Sequence, residues 1–393
     1  MIQFLKSLPR DKVLWAFNNN TIKYKDPIVH NAEWSDIDCG LFSVRLYPDP
    51  DQNFTFNFVE YLRKVIITNN FEDTQNFNIT PAISSLVYNG TPQTYLELTA
   101  TITVSNTDGN GDPFDLPLRF MAGVLQIEDF KRGGIPQDGL FFLMPQKAFA
   151  RTHYKLNYWP GYPFDISVYA KSPGVLSARN LTNNVGIALT VYDRVSRIAF
   201  CDGNHDETIE DHLPLSFGHN IVKFSKHQLP QSEDLFVDIE KHEPRCGVYV
   251  KYRNQFGGWS YWLFHQNHNR SRSVKDGDEL ENDWHDIGQT NAPTLQTGVE
   301  SSQDTIKCLA KGLSADDVRQ LGYILESPKI YLYAAERYSQ GTNLSIQANV
   351  PMEQRWIEIK CGTKKLDIRQ PKKNRYSFSL DFALPARYRI SLL

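Results

Sequence analysis

Residues 252–264 read YRNQFGGWSYWLF. Two adjacent glycines, Gly257 and Gly258, separate two runs dominated by aromatic side chains. Such runs suit strands, and a glycine pair supplies the positive φ that a two-residue hairpin turn requires. The stretch therefore predicts a β-hairpin with arms at 249–254 and 259–264. Alternation along a strand puts Trp259, Tyr261 and Leu263 on one face and Ser260, Trp262 and Phe264 on the other. Apolar groups on both faces require cover on both sides. One cover is the domain's own core. The other is assigned to a neighbouring domain or subunit, which makes Trp259, Tyr261, Trp262 and Phe264 interface candidates.

The same period-2 pattern, punctuated by Gly, Pro, Asn and Asp, recurs along the chain. It is clear in LFSVRLY (41–47), YLELTATITV (95–104), GIALTVY (186–192), NIVKF (220–224), LFVDI (235–239) and YSFSLDF (376–382). Two segments carry helical spacing instead. Residues 56–65 place Phe58, Leu62 and Val65 on one face, and residues 314–325 open with Ser314 as a cap followed by Asp316 and Asp317. Ser327-Pro328 stops the second helix. The predicted fold is mainly β: two to three β-sandwich or barrel domains with a few short helices, ending in a small α+β module.

The turn-rich KRGGIPQDG (131–139) sets a first boundary. An N-terminal β domain with one short helix is predicted over 1–130, and an immunoglobulin-like β-sandwich over 131–266. The polar segment 267–302 reads as an extended connection with a single strand near 274–284. A helix plus a small barrel or sandwich follows over 303–393.

With 393 residues, 41% hydrophobic and 22% charged, the chain has the composition of a globular protein. Its 42 basic and 45 acidic residues leave a net charge of −3, which gives no field for nucleic acid or anionic lipid. No segment approaches the ~20 apolar residues of a membrane span, and charges at Lys6, Arg10, Asp11 and Lys12 interrupt any secretory leader. A protein made in a cytoplasm is expected. Cys39, Cys201, Cys246, Cys308 and Cys361 are widely spaced, so they read as thiols rather than as a metal or disulfide framework.

The phosphate-loop, nucleophile-elbow, zincin and dinucleotide fingerprints are missing from the sequence. The leading metal candidate is DGNGD, where Asp108, Asn110 and Asp112 offer oxygens at alternate positions to a hard cation. A hairpin turn between two strands needs the same residues and is the stronger reading. CDGNHDETIEDH holds His205, Asp206, Glu207, Glu210, Asp211 and His212, and reads as a solvated acidic loop rather than a zinc site. His265, His268, Arg270 and Arg272 form a short basic patch. No cofactor is expected.

Four blocks carry a resemblance: YPDPDQNFTFNFVEYLRKVI (47–66), YWPGYPFDISVY (158–169), VYVKYRNQFGGWSYWLF (248–264), and a C-terminal pattern spanning 298–333 and 355–388. In their order they resemble a family of virion structural proteins, of tail or tail-hub type, from bacteriophages that infect Bacteroidetes. The resemblance implies a non-enzymatic component of the virion tail region. Such a component assembles with itself as a ring or hub, joins other tail or connector proteins and supports fibre attachment. Trp159 and Tyr162, set around Pro160-Gly161, join the interface candidates on this reading. Aromatic-rich loops keep a second class open, a carbohydrate-binding module that recognises the host surface. A depolymerase working through a carboxylate pair is the third. Neither nucleic acid nor membrane is an expected partner.

Overall fold

A computed structural model describes residues 2–29, 31–66, 71–107, 109–127, 139–147, 152–203, 207–226, 234–277, 279–281, 294–296, 299–333, 356–366 and 375–387. The fold is mainly β, and among the described residues every sheet is open, so no barrel forms. The chain divides into two compact units. The first is Met1–Pro244 with Arg253–Ser260, and the second is Arg245–Tyr252 with Tyr261–Leu393.

The first unit begins with two facing sheets. One runs Gln3–Lys6, Thr21–Lys25, Phe54–Asn57. The other runs Val13–Trp15, Phe114–Met121, Tyr95–Asn106, Trp34–Asp38, Ser43–Leu46. Strand Tyr95–Asn106 shows why. Its alternation turns Leu98, Ala100, Ile102 and Val104 inward, where they meet Ile22, Tyr24, Phe54 and Phe56 from the opposite sheet. Helix Val59–Ile66 closes this core with the fully buried Leu62.

That helix is shorter than its sequence pattern. Residues 54–57 form a strand because Phe54 and Phe56 both point into the core, and the Asn57 Oδ1 then accepts from the Val59 backbone N–H at 3.2 Å as the helix begins.

A second sandwich follows in the same unit. Its four-stranded sheet runs Leu140–Phe142, Phe164–Ala170, Arg194–Cys201, Val87–Asn89, and its five-stranded sheet runs His153–Tyr158, Leu235–Lys241, Gly218–Lys226, Gly174–Asn180, Val185–Val191. The sheets meet through Phe142, whose ring lies 5.1 Å from Tyr154 and 5.0 Å from Phe224. Strand Val87–Asn89 lies on the N-terminal side of the expected boundary at 130, yet it pairs with Arg194–Cys201. The first two expected domains therefore share a sheet, since backbone pairing ignores distance along the chain.

The second unit is a seven-stranded sheet in the order Trp259–Phe264, Val248–Arg253, Ile330–Tyr333, Trp356–Cys361, Tyr376–Ala383, Val299–Leu313, His268–Asp276. Helix Ala315–Gly322 belongs with it. Ser314 caps the helix as the sequence implied, and the structure adds a reciprocal bond from Asp317 that makes a capping box.

Two expectations change here. The hairpin arms join this C-terminal sheet, through Val250↔Leu332, instead of ending the middle domain. The expected connection 267–302 contains strand His268–Asp276, paired antiparallel with Val299–Leu313 with a register shift at Lys275/Asp276. Its polar composition hid it, because both of its faces are exposed. Residues 334–355 and 367–374 of the expected C-terminal barrel or sandwich lie outside the described residues.

Candidate functional site

The hairpin tip is organised by Asn254. Its backbone N–H donates to the Gly258 carbonyl at 2.9 Å, and its Oδ1 accepts from the N–H groups of Phe256 (2.9 Å) and Gly258 (3.2 Å). The Nδ2 donates to Ser260 Oγ at 3.0 Å and to the Leu143 carbonyl at 2.9 Å. The turn therefore spans four residues, 255–258, and not the two glycines alone. Only Gly257 has a positive φ, 80°. Gly258 is needed for another reason: a Cβ there would lie 2.3 Å from the Leu143 carbonyl oxygen. Val124 N–H donates to the Gln255 carbonyl at 2.7 Å, and Phe256 packs edge-on to Trp15 at 5.7 Å.

Every residue from Val248 to Phe264 is buried. The interface candidates are thus covered by this chain itself: Trp159, Tyr162, Trp259, Tyr261, Trp262 and Phe264 are each no more than 5% exposed. Tyr261 stacks on Tyr249 at 5.9 Å, and Phe264 meets Phe382 at 5.7 Å. Trp159 stacks on His242 at 4.9 Å, at the turn where the Tyr162 N–H donates to the Trp159 carbonyl. The face that the hairpin reading assigned to a subunit contact is buried within this single chain.

The metal candidates fall on a hairpin. Gly109–Asn110 pairs with Ser105 and Asn106, Gly109 N–H donates to Asn106 Oδ1 at 3.1 Å, and Gly111 N–H donates to the Val104 carbonyl at 2.7 Å. Asp112 is exposed, Asp108 lies outside the described residues, and so does the side chain of Asn110. Among the described residues no group of His, Cys, Asp and Glu gathers as metal ligands would. In the acidic loop, Asp211 caps Thr208 reciprocally and Glu210 pairs with Lys241; His205 and Asp206 lie outside the described residues.

A charged layer that the sequence did not announce sits inside the first unit. Arg197 donates from Nε to Asp165 Oδ2 and from Nη2 to Asp165 Oδ1, both at 2.8 Å. Its Nη1 reaches Asp73 Oδ1 at 2.6 Å, and Phe77 covers the guanidinium at 4.8 Å. All three charged side chains are at most 2% exposed. Close by, burial pushes Arg253 down to about 10, Asp73 opposing the shift and Arg197 adding to it. Arg253 lies against Phe71 at 5.3 Å and Trp259 at 5.8 Å.

The same guanidinium helps line a cavity of about 90 Å³, whose polar groups are Glu72, Thr94, Tyr95 and Arg253 and whose walls include Ile66, Phe71 and Leu96. Arginine remains charged at neutral pH, so these ion pairs clamp the segment that carries Asp73 to the sheet. Arg197 and Asp73 lie 124 positions apart, a separation that no spacing motif can register.

The basic patch resolves in the second unit into three arginines around one carboxylate. Arg272 Nε donates to Asp304 Oδ1 at 2.7 Å, Arg270 bonds Asp304 Oδ2, and Arg387 Nη1 reaches Oδ2 at 3.3 Å. Asp304 is 3% exposed, while the three arginine side chains are 42 to 50% exposed. Hydrogen bonds from Arg272, then Arg270, hold the Asp304 carboxyl well below the usual carboxylate range against the opposing effect of its burial. Of the expected patch, Arg270 and Arg272 enter this cluster.

No family model matches the chain, and no curated protein matches it. Among solved structures, a tri-modular GH5 (subfamily 4) endo-β-1,4-glucanase from Bacillus licheniformis aligns with 6% identity and a TM-score of 0.18, over 61% of this chain and 38% of its own. The chain thus spans well under half of that enzyme. A 1.5-MDa bacterial ice-binding adhesin aligns with 7% identity and a TM-score of 0.18, over 75% of this chain and 95% of its own. A Ca²⁺-stabilized adhesin of an Antarctic bacterium aligns with 7% identity and a TM-score of 0.15, over 77% and 66%. Similarity at this level carries no functional argument.

Proposed function

We propose that this chain is a structural component of a bacteriophage particle, of the tail or tail-hub type, that acts by assembly and not by catalysis. It joins copies of itself and other tail or connector proteins, and supports fibre attachment. The observation that carries the reading is the hairpin Val248–Phe264. This block is part of the family resemblance, and it is buried throughout its length. The side chain of Asn254 fixes the turn, which favours a constructional role for the block. The other blocks behave alike: 158–169 makes the Trp159–Tyr162 turn and a buried strand, and the C-terminal block makes the capped helix and its sheet.

Mass spectrometry and cryo-electron microscopy of purified particles test this. The chain is expected at fixed copy number in the tail region of mature virions. Its absence from them overturns the reading.

A further inference from the structure

Strand His268–Asp276 is the last in the order of its sheet among the described residues, and all nine of its residues are exposed. A strand in that position offers an edge of backbone donors and acceptors. Charges on an edge ordinarily keep foreign strands away, unless the incoming strand carries the opposite sign. Here the sign is definite. Arg270, Arg272 and Arg387 share the single carboxylate of Asp304, so the cluster holds two more positive than negative charges. The buried Asp304 fixes the three guanidiniums as a group and leaves each about half in solvent. Arginine's donor fork suits carboxylate ligands.

The matching chemistry is in the same sequence. Residues 276–286, DGDELENDWHD, hold six carboxylates, at Asp276, Asp278, Glu279, Glu281, Asp283 and Asp286, and neither lysine nor arginine. Asp276, the first of them, stands four residues beyond Arg272 on one strand. That is about 13 Å at a strand's rise, outside hydrogen-bond reach. The chain continues as the strand Glu279–Glu281, which pairs with Thr294–Gln296.

We propose that the arginine cluster on strand His268–Asp276 is a docking site for the acidic segment 276–286 of a second copy of this chain. Donor and acceptor surfaces differ, so the contact is head-to-tail and propagates into a ring where its rotation closes. The inference deepens the assembly reading above and rests on it.

Two variants separate the halves of the contact: Arg270→Ala with Arg272→Ala removes the receiving site, and Asp276→Asn, Asp278→Asn, Glu279→Gln, Glu281→Gln removes the inserting segment while leaving the arginines in place. Analytical ultracentrifugation at low salt is expected to show oligomers of the wild-type chain, at least about tenfold weaker self-association for either variant, and heterodimers when the two are mixed. Raising the salt should dissociate the wild-type oligomer. Circular dichroism checks folding of both, and the second variant does not touch Asp304. Wild-type oligomers that persist unchanged in the folded acidic-segment variant overturn the proposal, as does a wild-type chain that stays monomeric. Neither result bears on whether the chain is found in virions. Its absence from purified particles removes the assembly reading itself.

Discussion

Arg197 grips Asp165 with two parallel hydrogen bonds of 2.8 Å, across two strands paired within the second sandwich of the first unit. Both side chains are essentially inaccessible to water, and Asp73 brings a second carboxylate to the same guanidinium from a segment outside the sheet. Removing Arg197 takes the shared guanidinium from two buried carboxylates, and neutralising Asp165 takes from Arg197 its two-bond partner while Asp73 stays. Arg197→Met and Asp165→Asn should each cost about 3–5 kcal/mol of stability, read from urea unfolding. A loss below about 1 kcal/mol for either would show that the layer is solvated in solution.

Gly258 and Gly257 test two different demands on the hairpin. Gly258→Ala drives a Cβ against the Leu143 carbonyl, and the expected loss is about 1–3 kcal/mol as backbone moves to make room. Gly257→Ala meets both a φ of 80° and the Ala122 carbonyl at 2.7 Å, so it should be at least as harmful. Gly40→Ala is the control, since φ is 70° but nothing lies within 4 Å; about 1–2 kcal/mol is expected there. Melting temperatures of the three variants rank them.

Trp262→Ala should behave as a core substitution, losing about 3–5 kcal/mol. The side chain is 5% exposed within the single chain. Urea unfolding of the isolated protein at low concentration reads this directly, and an unchanged midpoint would return the residue to the surface.

Asp304 sets an acid limit on the second unit. Its folded-state pKa is depressed, so its contribution is fully present above the unfolded carboxylate value of about 4 and is lost as pH falls through the lower folded value. The stability gap between wild type and Asp304→Asn should therefore be constant from pH 7 to 5 and shrink steadily below about pH 4. Denaturation midpoints across that range measure it. A gap independent of pH would contradict the arginine bonds.

Thiol chemistry should sort the cysteines by burial. Cys246 is exposed, whereas burial pushes Cys39, Cys201 and Cys308 up to about 12. An aromatic disulfide reagent at pH 8 should titrate Cys246 rapidly and reach those three only after unfolding, because the thiolate is the reacting form.

Much of the local structure was legible because it depends on neighbours in sequence. Residues 95–104 alternate and form a strand that the structure extends to Asn106, and Ser314 with Asp317 three residues on caps the helix where its pattern begins. Local pattern failed where two periods overlapped: Phe54 and Phe56 belong to a strand, and Phe58 and Leu62 to the helix packing that follows. It failed again at His268–Asp276, where a strand exposed on both faces has no apolar alternation to reveal it.

What the sequence determined by itself is the mainly β character, the hairpin at 252–264, the capped helix and the absence of a strong overall charge, since each follows from side-chain period, turn chemistry or composition. Only the tertiary structure decided which strands share a sheet, that the hairpin is buried on both faces, and which charges meet. Val87–Asn89 joins a strand more than one hundred residues away, Arg197 finds Asp73 across 124, and Arg270, Arg272 and Arg387 converge on Asp304 from two separate stretches. Such contacts are selected by the shared burial of distant segments, a property of the folded chain that no window of sequence contains.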